Sequence, residues 1–181
     1  MERKIVISAE STIDLPKSML EEFNIHTVPF TVMLGDKARL DGEFDTKEIF
    51  DFVFETKNLP KTSAVNEYQY QKHFAKLLKE YDYVIHFTLS SEMSSAYSNA
   101  CKVSDKLNGR VFVVDSRSLS TGIALLAIYA AKLSKECSDP ESYAMSYPEN
   151  CKRCNNRYYS AGKCRLCNGI VSQDGTQCIT E

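Results

Sequence analysis

The chain has 181 residues, 22 basic and 24 acidic side chains for a net charge of −2, and 43% hydrophobic residues. This is the mix of a soluble globular protein with room for one domain and a small appendage, and it excludes disorder over the whole length. A near-neutral balance gives no general attraction to phosphate backbones, so nucleic acid is not an expected partner; the longest apolar stretch, Gly122 to Ala131, is too short to cross a bilayer, so no transmembrane segment is expected.

Arg3 to Ser8 is a short β-branched run, and Ala9 to Asp14 supplies turn and cap residues before Pro16 at a helix start, which predicts strand, loop and helix. The basic pair Arg3 and Lys4 is followed by only three apolar residues, so no secretory core is present and a cytoplasmic protein is expected. Ile25 to Leu34 is extended, is interrupted by Pro29, and returns through Gly35-Asp36 as an edge or hairpin. Asp45 or Thr46 caps a helix with Ile49, Phe50, Val53 and Phe54 on its apolar face; Tyr70, Phe74, Leu77 and Leu78 mark another after Asn66. Tyr83 to Leu89 is a strand. The helix after Ser90-Ser91 has an expected buried stripe of Met93, Ala96, Tyr97, Ala100, Cys101 and Leu107 and stops at Asn108-Gly109. Val111 to Val114 lacks polar alternation, as in a strand covered on both faces, and Ser118 to Leu133 is the next helix.

Strands alternating with helices imply an α/β fold: a layered domain with a mostly parallel sheet flanked by helices, and ligand loops at the carboxyl ends of the strands. The cysteines divide the chain. Two of seven, Cys101 and Cys137, precede residue 146, whereas five fall in the last 31 residues; the charge shifts from −4 over residues 1–145 to +2 over residues 146–181. With Asp139-Pro140 and Tyr147-Pro148 as helix-ending punctuation, the boundary is placed near Ser146, leaving a cysteine-rich tail over residues 146–181. Cys151-x-x-Cys154 and Cys164-x-x-Cys167 offer four thiolates for one tetrahedral Zn²⁺; the competing reading is a disulfide-stapled module, which the fifth cysteine of the tail, Cys178, suits better.

The densest hydroxyl cluster, Thr88-Leu89-Ser90-Ser91-Glu92-Met93-Ser94-Ser95, lies where a strand turns into its helix. Helix amino termini present free amide donors, and serines add more without bulk, so a carboxylate or phosphate would be held there; simple helix capping by Ser90 or Ser91 is the alternative. Thr62-Ser63, in the loop before another helix, and Asp115-Ser116-Arg117-Ser118, after the fourth strand, repeat the pattern. No Gly-x-Ser-x-Gly elbow accompanies Ser94, so serine hydrolysis is not expected. His26, His73 and His86 are widely separated and are expected to be ordinary surface or core residues.

Taken together, Ile7-Ser8-Ala9-Glu10-Ser11-Thr12-Ile13-Asp14-Leu15-Pro16, Lys61-Thr62-Ser63, Leu89-Ser90-Ser91-Glu92-Met93-Ser94-Ser95-Ala96-Tyr97, and Val114-Asp115-Ser116-Arg117-Ser118 with Gly122 resemble the DegV family of bacterial fatty-acid-binding proteins. The resemblance runs from about Ile5 to Tyr143, the family's amino-terminal domain; beyond about residue 145 the family's carboxyl-terminal domain, which covers the acyl chain, has no match. Glu10 stands where the family usually has Asp, and Ser95-Ala96 where it has Gly-Thr. The resemblance implies a noncatalytic protein that binds a long-chain fatty acid such as palmitate. Its carboxylate would be held by the hydroxyls of Thr62 and Ser94, with Ser63, Ser91 and Ser95 supporting the loops and helix aromatics lining the acyl chain. It further implies a partner, the catalytic subunit of a fatty acid kinase, for which the chain is the lipid-presenting subunit. The alternative function is an interaction protein whose cysteine tail binds zinc while the α/β part is a degenerate scaffold.

Overall fold

A computed structural model describes residues 4–136. The β-branched runs pair as expected. Strands β1 (Ile5–Glu10), β2 (Ile25–Val28), β6 (Tyr83–Thr88) and β7 (Val111–Asp115) form one fully parallel sheet in the order β2-β1-β6-β7. The Ile25–Leu34 run divides at Pro29: β2 joins the parallel sheet, and β3 (Thr31–Leu34) turns through Gly35-Asp36 into β4 (Lys37–Leu40). Gly35 takes the left-handed φ of 64° that this tight return requires. A third strand, β5 (Lys61–Ser63), adds antiparallel to β3, giving a small second sheet ordered β4-β3-β5.

Helices α1 (Lys17–Glu22), α2 (Thr46–Thr56), α3 (Glu67–Leu77), α4 (Ala96–Ser104) and α5 (Thr121–Glu136) fill the connections. Asp45 caps α2 by accepting from the Lys47 amide at 2.8 Å, and Asn66 with Gln69 forms a reciprocal capping box on α3. Successive side chains of a strand point to opposite faces, and two strands carry polar residues in phase: Ser8 and Glu10 on β1, His86 and Thr88 on β6. Both Tyr70 and His73 of α3 bond to that face, which α3 therefore covers. The alternate set, Ile7, Ala9, Ile85 and Phe87, is fully buried on the other face, and α5 packs on β1, β2 and β6. Ala124, Ala127, Ala130 and Ala131 make a small-residue stripe on α5 that lets the helix lie close to the sheet.

Two apolar faces differ from expectation. Met93 is exposed because α4 starts only at Ala96, and the stripe beneath it is Ala96, Ala100 and Val103. On α2 the periodic face exists, but Phe50 and Phe54 are 68% and 77% exposed, with the Lys57 ammonium over the Phe54 ring at 4.5 Å. No helix among the described residues is long and apolar enough to cross a membrane. The tail, with the boundary near Ser146, Cys137, Cys151, Cys154, Cys164, Cys167 and Cys178, lies outside the described residues.

Phe74 is fully buried, stacks on Tyr70 at 5.6 Å between centroids and meets the edge of His86 at 5.2 Å. Phe74→Ala is expected to lower unfolding free energy by about 3–5 kcal/mol in urea titrations, with an unchanged denaturant slope.

Candidate functional site

The carboxyl ends of the parallel strands carry three loops that bond to one another. Glu10 closes β1 with its side chain fully buried; Oε2 accepts the Leu89 amide at 2.8 Å and Oε1 accepts the Tyr70 hydroxyl in a short hydrogen bond. One carboxyl thus joins β1, α3 and the start of the 89–95 loop. The Ser90 amide donates to the Ser118 carbonyl at 3.0 Å, the Ser120 amide to the Thr12 carbonyl at 3.1 Å, and the Phe30 amide to Ser11 Oγ at 3.1 Å. Asp115, at the end of β7, accepts the Ser91 and Arg117 amides on Oδ1 at 3.1 and 3.0 Å, while Oδ2 pairs with Arg117 Nε at 2.8 Å. The Arg117 guanidinium also pairs with Glu92. Arg117 and Ser120 both hold φ of 51°, uncommon for residues with a Cβ, so the 116–120 loop is fixed in a strained shape by its neighbours. Gly122 lets it close: a Cβ there would lie 1.8 Å from Ser118 Oγ and 2.7 Å from its Cβ.

Burial pushes the Glu10 carboxyl up to about 7, against the Leu89 and Tyr70 hydrogen bonds that favour its ionised form. Tyr70 is pushed far above its ordinary value by burial and by the adjacent Glu10 charge. Deeper under α3, Ser8 Oγ lies 2.7 Å from His73 Nε2 and 2.9 Å from His86 Nδ1. Burial lowers His73 to about 4, and His86 also lies well below its ordinary value, so both rings are neutral. These histidines, expected to be unremarkable, form a buried polar cluster with Ser8. The signal was in the strands: polar residues at alternate positions of β1 and β6, with Ser8 directly opposite His86 in register.

The predicted hydroxyls occupy two regions. Thr62 and Ser63 sit in a strand rather than the expected loop: they pair with Val32 and Thr31 on β5, exposed, and make no side-chain hydrogen bond among the described residues. Ser94 is half-buried, its Oγ accepts the Ala96 amide at 3.1 Å, and its own proton has no acceptor among the described residues. Ser91 and Ser95 flank it; Ser95 occupies the cap position of α4 without a side-chain capping bond, and Ser90 Oγ accepts the Glu92 amide at 3.3 Å instead of capping the helix. What connects the regions is Asn99 on α4, whose side-chain amide donates to the Val65 carbonyl at 3.0 Å. It ties the chain just after Thr62-Ser63 to the helix that Ser94-Ser95 opens. Among the described residues no cluster of three metal-ligating side chains occurs.

A family model described as uncharacterised proteins of the DegV family matches residues 4–159. The chain belongs to the DegV family. A DegV domain-containing protein of Caldanaerobacter subterraneus is 30% identical over 151 residues, covering 83% of this chain and 54% of the relative. A fatty acid-binding protein of Thermotoga maritima is 33% identical over 134 residues, 72% of this chain and 46% of its own length. Among solved structures, a fatty-acid-binding DegV family protein from Thermus thermophilus superposes with a TM-score of 0.74 at 28% identity, covering 83% of this chain and 54% of that one. The chain spans about half the length of the relatives it matches.

Two outcomes are expected. A carboxyl that holds its proton more tightly folded than unfolded loses stabilisation as pH rises, here from about 4.5 to about 7. The lowered histidines change stability in the opposite sense below neutrality, so the readout is a difference: relative to Glu10→Gln, the wild-type chain should lose on the order of 2–3 kcal/mol across that window in pH-resolved denaturation. Gly122→Ala should cost about 1–3 kcal/mol by forcing Ser118 away, and the added change Ser118→Gly should recover most of the loss in thermal melts.

Proposed function

We propose that this chain binds a long-chain fatty acid, its carboxylate held by the hydroxyls of Thr62 and Ser94, with Ser63, Ser91 and Ser95 shaping the two loops. The observation that carries the reading is that the hydroxyl protons of Thr62 and Ser94 have no internal acceptor among the described residues, in a family whose relatives include fatty-acid-binding proteins. A carboxylate is the acceptor both lack, and a charge-assisted bond to each contributes about 1.5–3 kcal/mol.

Exposed apolar side chains lie near each hydroxyl in the chain, Leu59 two residues before β5 and Met93 next to Ser94, and α2 exposes Phe50 and Phe54 as well. Burying a sixteen-carbon chain yields on the order of 10 kcal/mol when walls surround it, and about half that when one side stays open. The lipid-binding unit is residues 1–145, with residues 146–181 a separate tail. The chain performs no chemistry of its own. It presents the acid to the catalytic subunit of a fatty acid kinase, where the carboxylate is phosphorylated.

Native mass spectrometry of the purified chain is expected to show copurified fatty acid. Ser94→Ala and Thr62→Val should each weaken palmitate binding about 10- to 100-fold; Thr62→Val should leave the melting temperature of the empty protein unchanged, whereas Ser94→Ala, which loses the bond from the Ala96 amide, should lower it slightly. Absence of bound lipid together with unchanged palmitate titrations in both variants would remove the proposal. Added to the kinase subunit, the wild-type chain should support acyl phosphate formation and Ser94→Ala should not.

A further inference from the structure

A groove of about 620 Å³ opens between the end of β2 and the exposed side of α3, away from Thr62 and Ser94. Val28, Pro29, Leu40, Tyr68 and Ala75 give it apolar walls, and His73 reaches its lining. Along one rim stand Lys72 and Lys76, four residues apart on one face of α3, and Lys79 in the turn just beyond the helix end. All three are exposed, and none has a carboxylate partner among the described residues, whereas Lys17, Lys47 and Lys102 each reach one. Like charges four residues apart oppose one another along the helix. In a chain of net charge −2, an unneutralised basic row beside an apolar trough is a local exception.

We propose that this groove docks an amphipathic helix of a partner protein, apolar on the side that meets Val28, Pro29 and Leu40 and acidic on the side that meets Lys72, Lys76 and Lys79. A helix laid along α3 repeats its own side chains every three to four residues, so carboxylates at that spacing face Lys72 and Lys76, with Lys79 just past the end of α3 within reach of the next. A single-headed lipid engages one cation and leaves the others unpaired. A bilayer surface is attracted to the same charges but is flat, and does not reach the floor of a concave trough. The partner is thus recognised by charge along the rim and by apolar contact below it.

The test uses the full chain and a designed peptide of about 18 residues, five helical turns, with leucines on one face and glutamates at four- and three-residue spacings beside them. A scrambled peptide of identical composition is the control, and binding is followed by fluorescence anisotropy. The ordered peptide is expected to bind, more weakly as salt rises, and to lose about tenfold in affinity to Lys72→Glu/Lys76→Glu/Lys79→Glu. Ala75→Trp, which fills the floor and leaves the charges, should weaken it too; circular dichroism of each variant establishes that it is folded, and Lys→Gln replacements stand in if the charge reversals are not. Equal binding of ordered and scrambled peptides, or indifference to these variants, overturns the proposal. So does lysine-dependent cosedimentation with phosphatidylglycerol vesicles when the peptide does not bind, or lysine-dependent self-association, which would assign the groove to a membrane or to a second copy of the chain.

Discussion

Glu10 ends the central strand, and its two carboxyl oxygens accept from the loop that opens toward Ser94 and from Tyr70 on the helix that covers the sheet. A carboxyl so placed costs desolvation energy, which is why its proton is held up to about 7. Its two acceptor atoms meet a backbone amide and a phenol that would otherwise be buried without partners, so removing it leaves two unsatisfied donors as well as a void. The platform above the sheet follows from this tie. With Leu89 fixed, the Ser90 amide reaches the Ser118 carbonyl, and the carbonyl of Thr12, just beyond Glu10, receives the Ser120 amide.

Much of this architecture is written in local pattern. The β-branched runs Ile5 to Ser8 and Val111 to Val114 name their strands, and Asp45 and Asn66 announce α2 and α3 through the capping bonds they make. Other features have no local cause. Lys61-Thr62-Ser63 is a strand only because β3 offers it an edge, and three residues carry no periodicity of their own. The start of α4 shifts to Ala96 because the backbone of residues 90–95 is committed to turns, with the Met93 and Ser94 amides both donating to the Ser90 carbonyl. Periodicity on α2 correctly marks an apolar face, yet it says nothing about what covers that face, and Phe50 and Phe54 stay in solvent.

The candidate site was legible as residue types more than as geometry. Hydroxyl loops after strands are common, and only the resemblance singled out Thr62 and Ser94 from the other serines and threonines. The structure adds that neither hydroxyl finds an acceptor among the described residues and that Asn99 spans the two regions. It also separates polarity that is committed from polarity that is available: Arg117, the basic side chain of the loop after β7, is already paired with Asp115 and Glu92. On the proposed reading, a carboxylate at Ser94 would meet neutral donors, which favours modest affinity for the head and leaves most of the binding free energy to the hydrocarbon.

Ser8 has a single hydroxyl hydrogen and stands between two imidazole nitrogens, 2.7 Å from one and 2.9 Å from the other. When its proton goes to one ring it can only accept from the other, so an assignment that gives the Ser8 proton to either ring fixes the tautomers of both His73 and His86. Reversing the direction of the chain means rotating one O–H bond and relocating a hydrogen on each ring together. Two histidines thirteen positions apart in sequence are thus coupled through one hydroxyl beneath α3.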